Sequence, residues 1–164
     1  MNAPPESQLT HSADGTPIAW SVEGGGPALV VVNCAMAWRR STPQPQLPAA
    51  LAQHFTVITY DRRGKGESGT TDPYAVDREC EDLAAVIGAA GVNASVYGFS
   101  SGALLALTAA ARRVPMTKVV ASEPPVGGRT FRTAAQSSPR FWPTTLVLPT
   151  SSSWLTCKAS RPTS

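Results

Sequence analysis

Ser100 stands in the run Gly98-Phe99-Ser100-Ser101-Gly102, between an apolar strand-like segment, Ala94 to Tyr97, and an alanine- and leucine-rich helix-like segment, Ala103 to Arg113. A serine spaced this way between glycines suits nucleophilic chemistry when a strand precedes it and a helix follows, which is the context a nucleophile elbow requires. The glycines at 98 and 102 remove Cβ atoms that would collide in so sharp a turn, and Ser100 is expected in a strained backbone conformation with its hydroxyl exposed. Without those flanks it would read as an ordinary serine in a glycine-rich turn. A base for this serine would have to lie within about 3 Å of its Oγ. His11 and His54 are the two histidines of the sequence. His11 falls in an outer hairpin and His54 follows a short helix, near the C-terminal end of its dipole, so neither is expected to serve. Asp61 closes a strand, where its side chain can cap the turn made by Arg62 to Gly66. Cys34 has no nearby base and reads as a small buried residue.

Such an elbow needs a sheet to present it. Gln8 to Ser12 and Pro17 to Glu23 flank the turn dipeptide Asp14-Gly15 and predict an antiparallel hairpin. Ala28 to Val32 and Thr56 to Tyr60 lack polar alternation over most of their length, the pattern of strands buried on both faces of a parallel sheet. Between them, Gln44 to Gln53 predicts a short crossover helix. Val76, Cys80, Leu83, Ala84 and Ile87 recur at helical spacing, while Asp77, Glu79, Glu81 and Asp82 occupy other positions in the first two turns, where the helix dipole favours acids. Gly91 supplies the stop. Lys118 to Ser122 is a further buried strand. Alternating strands and helices predict an α/β fold with a doubly wound, mostly parallel sheet and an N-terminal antiparallel hairpin.

The 164 residues are 42% hydrophobic, enough for one domain with a real core. Residues 1–125 hold nine Lys/Arg and all eleven Asp/Glu, a charge of −2, whereas residues 126–164 hold five Lys/Arg and no acid, a charge of +5. That second segment is rich in Ser, Thr and Pro and shows no strand or helix pattern except at Thr145 to Leu148. It reads as an irregular basic tail, and out-of-frame sequence after Gly127-Gly128 would account for its arginines, prolines and scattered aromatics. Five dispersed charges are expected to be solvated rather than to bind nucleic acid. Cys34, Cys80 and Cys157 have no C-x-x-C spacing, so neither a disulfide framework nor a metal site is expected. With no signal peptide or membrane span legible, the expected location is the cytoplasm.

Three anchors in order give a more specific reading. Val30 to Met36 is similar to a strand followed by an oxyanion loop, Thr59 to Ser68 to a strand-end D-x-R-G-x-G-x-S turn, and Gly98 to Gly102 to the elbow. Over about residues 8–125 the chain resembles the α/β-hydrolase superfamily, in its serine-nucleophile branch. The resemblance implies a hydrolase of an ester, lactone or similar small acyl compound, with Ser100 as nucleophile and no cofactor. It also implies an oxyanion hole made by the backbone N–H groups of Ala35 and Ser101. Where many members have His-Gly or Gly-Gly, this chain has Asn33-Cys34, and a Cβ at position 34 restricts the angles that aim the Ala35 amide. In that family the acid and histidine follow the serine, yet both histidines here precede it. The expectation is therefore a domain cut short after its sixth strand, with impaired activity and with Lys118 to Ser122 as an exposed edge prone to self-association. The rival expectation is a non-catalytic remnant that binds a small ligand or a partner protein.

Overall fold

The computed structural model describes residues 5–91, 93–125 and 145–149. Its elements run β1 (Gln8–His11), β2 (Pro17–Gly24), β3 (Ala28–Val32), α1 (Leu47–Leu51), β4 (Thr56–Tyr60), α2 (Val76–Ala89), β5 (Ser95–Phe99), α3 (Ser101–Ala111), β6 (Lys118–Ser122) and β7 (Thr145–Pro149). The strands form one sheet in the order β1-β2-β4-β3-β5-β6-β7. The first hairpin is antiparallel, β2 meets β4 antiparallel, and β4, β3, β5 and β6 are parallel. The predicted α/β architecture is thus present.

One expectation changes at the far edge. The apolar run at Thr145 forms β7, which pairs antiparallel with β6 from Lys118↔Pro149 to Ser122↔Thr145. The sheet therefore does not stop at a sixth strand, and β6 is not an edge: it pairs with β7, which is the last strand of the sheet among the described residues. Elsewhere the expected irregular tail lies outside the described residues.

Parallel strands connected by right-handed crossovers place the helices by direction of travel. The step from β3 to β4 goes one way along the sheet and the step from β5 to β6 goes the other, so α1 and α3 cover opposite faces. α2 packs beside α3, and their face of the sheet holds the main core: Val30, Val32, Ile58, Tyr60 and Val96 against Leu83, Val86, Leu105 and Ala106. Burying a side chain such as Leu83 contributes roughly 1.5–3 kcal/mol relative to leaving it exposed. α1 is shorter than predicted: Pro45 lies before it, Pro48 occupies its first turn, and none of its residues is buried.

The α2 face also differs from its sequence reading. Val76 is exposed, Val86 is buried, and two of the four acids, Glu79 and Asp82, point inward. They do so because Arg62 and Arg63, at the end of β4, are buried opposite them. Arg63 Nη2 lies 2.7 Å from Asp82 Oδ1, and Arg62 grips both oxygens of Glu79 at 2.5 and 2.6 Å.

Candidate active site

The direction of chain travel reverses at β3, which leads first to β4 on one side and then to β5 on the other. Beyond the carboxyl ends of the strands at such a switch point, crossovers diverge and leave a crevice. β3 ends there at Val32 and β5 at Phe99, paired in register through Val32↔Gly98. Asn33 to Met36 and Ser100 to Gly102 therefore lie against one another at that end of the sheet.

Ser100 has φ 54° and ψ −121°, the strained conformation expected of an elbow residue. Its N–H donates to Ser122 O at 3.0 Å, which ties the turn to β6. It stands at the N-cap position of α3, where serine hydroxyls commonly cap the helix, yet its hydroxyl makes no capping bond. The sharpness of the turn rests on the two glycines. A Cβ on Gly98 would lie 2.5 Å from Gly102 O and 2.7 Å from Ala103 Cα, and one on Gly102 would strike Val32 O and lie 2.6 Å from Asn33 O. Gly102 thus lets the first turn of α3 press directly on the end of β3. Ala103 and Leu104 donate to Ser100 O, while the Ser101 N–H has no partner among the described residues. It is one of the orphan donors every helix N-terminus carries.

The loop on the opposite side is braced from several directions. Thr42 Oγ1 donates to Asn33 Oδ1 at 3.0 Å, and Ala37 N donates to Cys34 O at 3.1 Å. Arg62 Nη1 lies 3.4 Å from Asn33 O. Burial alone would pull the Arg62 pKa down, but its bonds to Glu79 outweigh this and hold it above the usual value. For Glu79, burial pushes up and Arg62 outweighs it, holding the carboxyl below its usual value. The two form a fixed ion pair beside the loop, and Tyr74 Oη donates to Glu79 Oε1 at 2.6 Å. Sequence reasoning missed both the pair and its reach to the loop. The Ala35 amide is not free: it donates to Ser101 Oγ at 2.8 Å. Cys34, expected buried, is half-exposed on this loop.

The remaining candidates separate cleanly. Asp61 is buried and saturated, accepting from Arg39 N at 2.7 Å and Glu67 N at 2.9 Å, with Arg39 Nε 3.2 Å away. It pins the turn after β4, as its structural reading expects, although the cap falls on Glu67. His54 lies beyond α1 and before Thr56, at the opposite end of the parallel strands from Ser100. His11 sits at the end of β1, paired with Pro17, at the same end of the sheet as Ser100 but four strand spacings away. At about 4.8 Å per spacing that is roughly 19 Å. Neither histidine reaches Ser100. An apolar cleft lined by Trp20, Gly26, Ala28 and Thr56 also lies at the far end of the strands and takes no part in the site.

The sequence signature of the alpha/beta hydrolase family matches residues 26–163. Among solved structures, the chain is similar to an alpha/beta hydrolase from Sphaerobacter thermophilus DSM 20745, with 48% identity and a TM-score of 0.69, covering 79% of this chain and 52% of that one. An esterase from Rhodococcus sp. ECU1013 is 29% identical with a TM-score of 0.58, covering 68% of this chain and 43% of that one. The bottromycin epimerase, solved with bottromycin A2, is 30% identical with a TM-score of 0.56, covering 65% and 44%. The chain thus spans about half the length of these solved relatives. Its elbow and its sheet order, with the reversal at β3, agree with the signature match, and the chain belongs to the α/β hydrolase family.

Proposed function

We propose that this chain carries the nucleophile and oxyanion side of a serine hydrolase acting on an ester, lactone or similar acyl substrate. The observation that carries the reading is Ser100, held at φ 54° at the carboxyl end of β5 with its hydroxyl unused in capping and the Ser101 N–H beside it unpaired among the described residues. Ser100 Oγ attacks the carbonyl carbon, its proton leaves to a base, and the carbonyl oxygen becomes an anion beside the α3 N-terminus. Collapse expels the alcohol, which takes up a proton, and leaves an acyl-serine. Water then attacks the acyl carbon, releases the acid and restores Ser100. The esterase from Rhodococcus supports this class of reaction. The epimerase shows that relatives at this level of identity also do other chemistry, so fold alone does not decide it.

Neither His11 nor His54 reaches Ser100, so no histidine among the described residues takes up its proton. With binding and oxyanion contacts alone, the residual rate enhancement of a triad enzyme is about a thousand- to ten-thousand-fold over water. The chain by itself is therefore an impaired hydrolase. The test is a fluorophosphonate probe applied to the purified protein. Labelling that is slow, because no histidine assists Ser100, and that disappears in Ser100→Ala is expected. Absence of labelling at Ser100 would favour the non-catalytic reading, a fold that binds a small acyl ligand or a partner without turning it over.

A further inference from the structure

The Ala35 amide points at a hydroxyl where the hydrolase reading needs it to point at substrate. Ser101 Oγ accepts from Ala35 N at 2.8 Å and lies 3.4 Å from Arg62 Nη1, a second donor. A serine hydroxyl has two acceptor sites and one proton. With both acceptor sites occupied, the O–H bond must point away from both donors, and no acceptor for it exists among the described residues. The second donor is also well placed to polarise it. Glu79 holds Arg62 Nε and Nη2, which leaves Nη1 for Ser101 Oγ and for Asn33 O. A chain of hydrogen bonds that begins on a buried guanidinium strengthens each bond after it.

We propose that the Ser101 side chain is itself an oxyanion-hole donor. Its O–H, polarised by the Ala35 N–H and by Arg62, donates to the developing oxyanion beside the Ser101 N–H, so one residue supplies two donors and the Ala35 amide acts through the hydroxyl. The proposal deepens the hydrolase reading and rests on it for the identity of the oxygen bound. It differs from the expectation that Ala35 touches substrate directly. It also has a rival of opposite sign, in which the hydroxyl is a plug that must rotate away before substrate enters.

The test uses butyrate, a product-type carboxylate whose oxygen can enter the hole without any base. Amide NMR titrations compare the wild type, Ser101→Ala and Ser101→Thr. Butyrate is expected to shift the Ser101 amide of the wild type, Ser101→Ala to bind about tenfold more weakly, as befits loss of a hydrogen bond to a charged oxygen, and Ser101→Thr to retain wild-type affinity. Equal or tighter binding by Ser101→Ala would establish the plug and overturn the proposal. Failure of butyrate to move the Ser101 amide, or a threonine variant as weak as alanine, would also overturn it. A lack of fluorophosphonate labelling at Ser100 counts against the acyl-enzyme reading alone, because the butyrate titration needs no nucleophile.

Discussion

Two turns leave the same end of the sheet two strands apart, and they are built on opposite principles. The turn after β4 is saturated with charge: Asp61, Glu79 and Asp82 each have a cation within 3.2 Å, and Ser68 Oγ bonds both Asp61 O and Ala19 N. The elbow after β5 contains no charge. It is held by glycine clearance, by a backbone bond to Ser122 and by the contacts of Ser101 Oγ with Ala35 N and Arg62 Nη1, and among the described residues it leaves the Ser100 hydroxyl and the Ser101 N–H unengaged. A buried group whose bonds are complete is available for nothing else, whereas donors left open at a strained turn can be completed by a ligand. Arg62 joins the two turns, since it belongs to the first and lies 3.4 Å from Ser101 Oγ in the second.

The largest expected effect is on the uncharged turn. Gly102→Val would drive a side chain into Val32 O and Asn33 O, both backbone atoms that cannot move without breaking the β3 to β5 register. A loss above about 4 kcal/mol is expected, enough to prevent folding of a marginal domain. Chemical denaturation of the purified protein, or its failure to express in soluble form, reads the result. A soluble variant with an unchanged unfolding midpoint would mean that the turn is looser than its clearances imply.

The two turns were not equally legible in the sequence. β3, β4 and β6 are legible in short, largely apolar runs and the elbow in glycine spacing, because those signals are local. The charged turn was half read. The sequence marks Asp61 as a cap, but it relates Glu79 and Asp82 only to the dipole of α2, a local rule that a tertiary contact with Arg62 and Arg63 overrides. A signal was available: two consecutive arginines at a strand end, followed by two acids three apart on the next helix, can pair one to one. The Thr145 run was visible as a strand, yet its pairing with β6 was not, since register across a long connection is not encoded locally. The Ala35 to Ser101 bond spans 66 residues and depends on one rotamer.

In the charged turn, Glu79→Ala should cost about 3–5 kcal/mol, because it strands Arg62 as a buried charge. The same substitution frees Nη1 to swing away from Ser101, so butyrate binding should weaken along with stability. The pair also sets a dependence on pH. The Glu79 carboxyl is held below its ordinary value of 4.5 in the folded state, so its contribution is complete above pH 4.5 and is lost as pH falls through the folded value. The melting temperature of the wild type should drop on acidification below that point. The difference between wild type and Glu79→Gln should shrink over the same range. A difference that stays constant with pH would show that the carboxylate is not paired as the geometry indicates.

The smallest expected effect separates burial from charge as the cause. Asp77 and Arg112 form an ion pair between the first turn of α2 and the end of α3, with side chains 63% and 47% exposed. It joins the same two helices that the core joins, and its geometry is as close as that of the buried pairs. Water screens it, however, and two mobile side chains must be ordered to form it. A double-mutant cycle of Asp77→Asn and Arg112→Gln should therefore give a coupling energy below about 0.5 kcal/mol, measured from denaturation midpoints. A coupling above 1 kcal/mol would place charge itself, in or out of water, among the forces that hold this fold. In that case the saturation of the β4 turn would no longer need its burial to explain its strength.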